Sequence, residues 1–123
     1  MLIALITILL LGGGSTAVLA YIADTQDAVK TVMVKDERQK EALGTLKAMK
    51  KRTNARNKQV KRATKDLNKA LGQDDIDDAR IDGIWDGYFA VIDQYDHDML
   101  DLRFELREHI NREEWRQIFS EDQ

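Results

Sequence analysis

From Ile81 to Leu106 the apolar residues follow an unbroken step of four and three: Ile81, Trp85, Tyr88, Ile92, Tyr95, Met99, Leu102 and Leu106, with His109 next in line. That period lays every one of these side chains on a single helical stripe for about four heptads, which is the pattern of a coiled-coil seam and not of a strand. A stripe of this kind has to be covered by another helix. The chain contains no proline and 33% of its residues are charged, so nothing interrupts long helices and their outer faces can be solvated.

The partner stripe lies upstream. Ile22, Val29, Val32, Leu43, Leu46, Val60, Leu67 and Leu71 fall on helical spacings, which predicts one helix over about residues 24–71. Gly72-Gln73-Asp74-Asp75-Ile76-Asp77-Asp78 then reads as a turn over 72–78. Gly72 suits a left-handed helix end, and Asp77 or Asp78 suits the cap of the next helix, over about 79–110. So short a connection makes the two helices antiparallel neighbours. The fold class expected is therefore all-α: a long antiparallel helical hairpin over residues 24–123, closed by a short helix at about 112–119. Lys50, Thr53 and Asn57 take seam positions where Leu or Val belongs, and the register places Asn57 at the Tyr95 hydroxyl. A seam this weak calls for a homodimer, or for a protein partner that covers it.

Charge is segregated along the hairpin. From Lys47 to Lys65 there are nine Lys and Arg residues and no acid, whereas from Asp74 to Asp101 there are ten Asp against Arg80 alone. Folding at 72–78 lays the first stretch against the second, which sets register and orientation more than stability, since exposed pairs contribute only about 0.2–1 kcal/mol each. With an acidic helix at hand and no aromatic residues interleaved to stack bases, the basic stretch does not point to nucleic acid.

Residues 1–23 carry no charged side chain. As a helix they reach about 35 Å, enough for a bilayer core of about 30 Å. They are expected to form a single transmembrane anchor, uncleaved because the positive n-region of a signal peptide is missing. Gly12 through Thr16 would give that anchor a face of small residues that another helix can approach closely.

Chemistry-bearing residues are few. Asp93, His97 and Asp101 stand one turn apart on one helix face, the spacing for a divalent transition-metal site, although a solvated acidic face accounts for the same residues. Without cysteine there is no disulfide, thiolate nucleophile or thiolate metal site. No nucleophile with its base and no phosphate-binding loop can be read, so the chain is not expected to be an enzyme or to hold an organic cofactor. Asn111-Arg112-Glu113-Glu114 forms a capping box, with Ile110 and Trp115 as its hydrophobic staple. The helix it opens has Trp115, Ile118 and Phe119 on its apolar side, to pack on the hairpin or to bind a partner protein.

The stretch from Ala79 to Phe119, ending in Ile110-Asn111-Arg112-Glu113-Glu114-Trp115, resembles the C-terminal helix and "Leu-Thr-x-x-Gln" turn of the periplasmic Spy/CpxP-like and heavy-metal-resistance proteins. Ile110 and Asn111 stand where that family has Leu and Thr, and Glu114 replaces its Gln; both can close a capping box. A second copy of the turn at Val34–Arg38 lacks the Thr and the Gln. The anchor and the basic–acidic split depart from the family. The resemblance implies a small envelope hairpin that dimerises and serves as a chaperone or as a stress or metal sensor. The expectation is then a single-pass protein of the bacterial inner membrane with its hairpin in the periplasm, acting by protein binding. The alternative is a structural or accessory subunit of a membrane complex, or a tethered coiled-coil spacer.

Overall fold

The computed structural model describes residues 14–73 and 75–119, with side chains from residue 17 onward. These residues form four α-helices: α1 (Gly14–Val32), α2 (Glu37–Leu71), α3 (Asp78–His109) and α4 (Arg112–Phe119). All the regular structure described is helical, as the periodicity predicts.

The helix expected over 24–71 is in fact two helices. The chain leaves α1 at Val32 and turns through Met33–Asp36, where the Asp36 N–H donates to the Val34 carbonyl at 2.8 Å. Asp36, with extended backbone, then caps α2 by accepting from the Gln39 N–H at 3.1 Å. The Gln39 side chain reaches back to donate to the Met33 carbonyl at 3.1 Å. Asp36-x-x-Gln39 is thus a start signal inside an apparently continuous apolar spacing, and it satisfies donors and acceptors that the break would orphan. With so short a link, α1 doubles back along the first half of α2.

Two apolar clusters follow. At one end Ile22 and Val29 of α1 and Met33 of the following turn pack with Ala42 and Leu46 of α2, Leu106 and Ile110 at the end of α3, and Ile118 of α4. Each of the larger side chains, fully buried, contributes about 1.5–3 kcal/mol. At the other end only α2 and α3 meet. Val60 and Leu67 are buried there, but Ile81, Ile84, Trp85, Tyr88 and Ile92 are only partly covered.

The membrane span expected over residues 1–23 finds no support. Residues 1–13 lie outside those described, but Ala17–Ala23 belong to α1, where Ile22 is 3% exposed within the first cluster and Val18 packs against it. Among the described residues no helix is long and apolar enough to cross a membrane, because α1 goes on to carry Asp24, Asp27 and Lys30.

Register and charge also differ from expectation. The Tyr95 hydroxyl meets Thr53 at 2.8 Å, not Asn57, and Arg52 Nε donates to Asp98 at 2.7 Å. The hairpin is centred on the middle of the link between Leu71 and Asp78, one helical turn from the sequence alignment. Arg52–Asp98 is the ion pair that joins the basic stretch to the acidic one among the described residues. Lys47, Lys51, Lys58, Lys61, Arg62 and Lys65 recur at helical spacing on the outer side of α2 and are exposed. Apolar contacts and the Thr53–Tyr95 bond hold the register instead. Gly72 also departs from the expected left-handed end: its φ is −81°, and its N–H continues the helix by donating to the Asn68 carbonyl.

Candidate functional site

Helix α4 is positioned by the capping box read in the sequence. The Asn111 N–H donates to Glu114 Oε1 at 3.0 Å, and the Glu114 N–H donates to Asn111 Oδ1 at 2.8 Å. Arg38, in the first turn of α2, adds a two-pronged contact, donating to both Glu114 oxygens at 2.9 and 3.1 Å. This fork foremost, with the Asn111 N–H assisting, holds the Glu114 carboxyl below the usual carboxylate range. The beginnings of α2 and α4 are therefore locked together. Beside them His109 Nδ1 lies 3.1 Å from Glu41 Oε2.

So placed, α4 turns Trp115 and Phe119 toward α1, their rings 4.3 Å apart, with Phe119 stacked against Tyr21 at 6.4 Å. An open cleft of about 540 Å³ results between α1, α3 and α4. Leu46, Met49, Met99 and Leu106 line it together with Tyr21, Leu100, Trp115 and Phe119. Its charged lining groups are Asp96 and Arg103. The Thr25 hydroxyl in the lining is already engaged with the Tyr21 carbonyl at 2.7 Å. Flexible, polarizable Met49 and Met99 let such a surface adapt to differently shaped apolar side chains. This arrangement suits burying an apolar segment and offers no nucleophile paired with a base.

Of the residues singled out in the sequence, Trp115 and Phe119 line this cleft, while Ile118 is 5% exposed in the core against α1. The apolar side of α4 is therefore shared between folding back and shaping the cleft. Asp93, His97 and Asp101 sit on the exposed side of α3, with His97 Nε2 3.9 Å from Asp101 and both side chains about 70% exposed. Among the described residues no three His, Cys, Asp or Glu side chains are grouped to hold a metal ion. Sequence reading missed Arg38, Met49 and Leu100. Leu100 falls outside the four-three seam.

No protein-family model, no curated protein and no solved structure matches the chain.

Proposed function

We propose that this chain is a non-enzymatic, helical protein-binding module that takes a short apolar segment of another protein, in chaperone-like fashion, into the cleft between α1, α3 and α4. The observation that carries the reading is the open apolar cleft itself, in which Leu100 stays 49% exposed beside the two methionines. Monomeric proteins seldom leave a contiguous apolar surface open without a use for it. Arg103 and Asp96 at the cleft favour peptide over a purely hydrocarbon ligand, since a peptide brings donors and acceptors to both. The bacterial envelope is the setting that the Asn111–Glu114 turn suggests. Metal sensing is not part of the proposal, because His97 and Asp101 stand open to solvent away from the cleft.

The test is direct titration with a short Leu- and Phe-rich peptide, read through Trp115 emission in a Trp85→Phe background. Binding that Leu100→Glu removes, and that Phe104→Glu on the neighbouring exposed surface leaves intact, supports the cleft. Absence of binding, or equal loss in both variants, refutes it.

A further inference from the structure

We propose that the outer face of α2 docks on the outer face of α3 of a second copy of this chain, so that copies associate through opposite charge. The inference does not depend on what the cleft binds. It begins from charge that the folded chain leaves unanswered. Lys47, Lys51, Lys58 and Lys61 of α2 are exposed, and none has an ion pair among the described residues. Asp82, Asp86, Asp93 and Asp96 of α3 are exposed and likewise without an ion pair among the described residues. The rest of the sequence does not balance these charges. Outside the described residues it holds no Lys or Arg to answer the aspartates. Its carboxylate side chains there are Asp74, Glu121 and Asp122 alone, fewer than the lysines they would have to answer. Like charges one turn apart also destabilise each helix taken by itself, so the segregation works against the lone chain.

Spacing names the occupant. The four lysines are separated by steps of four, seven and three, and the four aspartates by the same steps in the same order. Each set therefore lies on one stripe of its helix, about 21 Å long, and the two stripes are congruent. Set side by side and parallel, Lys47 meets Asp82, Lys51 meets Asp86, Lys58 meets Asp93 and Lys61 meets Asp96. Reversed, the stripes match to within one residue, which the flexible lysine stem spans. Within one copy this pairing cannot form, because α2 and α3 turn their apolar stripes toward each other, and Arg52–Asp98 is the ion pair made at their junction. A second copy supplies the missing face. Each copy carries both stripes, so one contact leaves a stripe of each sign open and association can continue beyond a pair.

The same features disfavour a polyanion such as nucleic acid or an anionic membrane. The lysine stripe has no aromatic side chain between its charges to stack on bases. A net charge of −3 gives an extended anionic surface no long-range attraction for the chain, whereas between two copies so small a charge leaves little repulsion.

Sedimentation velocity of the full chain tests the proposal. The expected result is association at about 20 mM salt that weakens about tenfold or more at about 300 mM, as screening shortens the reach of the charges. Two double variants, Lys51→Glu with Lys58→Glu and Asp86→Lys with Asp93→Lys, change exposed side chains only and should keep helical circular dichroism. Each alone should sediment as a monomer, because two of its four pairs become repulsive. An equimolar mixture of the two should associate again, since the reversed α2 stripe of one matches the reversed α3 stripe of the other. A wild-type monomer at low salt would overturn the proposal, as would association that neither salt nor either variant alters, which would mark apolar contact. Failure of the mixture to associate would overturn the matched stripes. Wild-type chain that stays monomeric yet binds phosphatidylglycerol vesicles or a DNA oligonucleotide, with binding lost in the lysine variant, would overturn it in favour of a polyanion.

Discussion

The Tyr95 hydroxyl lies 2.8 Å from the Thr53 hydroxyl, which in turn donates to the Met49 carbonyl at 2.9 Å. The aromatic ring is flanked by the Arg52 and Arg56 guanidinium groups, 5.6 and 5.0 Å from its centre. This junction marks where α1 cover ends and the two-helix half begins. Tyr95→Phe leaves Thr53 its Met49 partner and should cost about 1 kcal/mol, whereas Thr53→Val strands a buried phenol and should cost about 1–3 kcal/mol. Urea unfolding of both singles and the double should show the two costs coupled, not additive.

Burial of Ile22 decides whether α1 belongs to the helical core. Ile22 is 3% exposed among Leu46, Leu106 and Ile118, so Ile22→Ala should cost about 2–5 kcal/mol. Val34, 71% exposed in the turn after α1, should tolerate alanine to within about 0.5 kcal/mol. Denaturation of the full chain measures both, and equal tolerance at the two sites would contradict the packing described.

The Arg38–Glu114 fork gives an acid dependence of known sign. Because the Glu114 carboxyl is held low by Arg38, its contribution is complete above the ordinary glutamate value of about 4.3 and is lost as pH falls through the lowered one. Glu114→Gln keeps a capping side chain but loses the charge. Its melting temperature should sit below wild type by a constant gap near neutrality, and that gap should close only in strong acid.

Asn68 supplies a stabilising change. Its Oδ1 is buried in α2 without a hydrogen-bond partner among the described residues, a cost the sequence gives no reason for. Asn68→Leu removes the orphan acceptor while keeping the branched shape, and should raise unfolding stability by about 1 kcal/mol in the same urea assay.

The parts of this fold legible in the sequence are those set by local chemistry. The seam from Ile81 to Leu106 and the caps at Asp77 and Asn111 follow from side-chain period and from short polar groups beside helix starts. The break at Met33–Asp36 stayed hidden because Val29 and Val32 continue the helical spacing, although Asp36 and Gln39 mark it. Hydropathy alone does not distinguish a helix that faces lipid from one that faces other helices, and so Val18 and Ile22 read as anchor. The register could not be fixed to a turn because the link at 72–77 has no defined geometry until its ends are known. The cleft was half legible: Trp115 and Phe119 were marked by the apolar side of α4, whereas Val18 and Tyr21 in its lining come from α1, which only the tertiary fold puts there.

Leu106, Ile110 and Ile118 complete the cluster around Ile22, and they are made last. A chain emerging in order exposes α1 about a hundred residues before Ile118 follows it, which at ribosomal speeds of about 5–20 residues per second is on the order of 5–20 s. During that interval Ile22 and Val29 have only Ala42 and Leu46 of α2 to rest on, and the rest of their cluster is missing. Whatever meets a nascent chain first, whether a targeting factor or a holding chaperone, has its opportunity then, before the C-terminal helix closes the bundle over it.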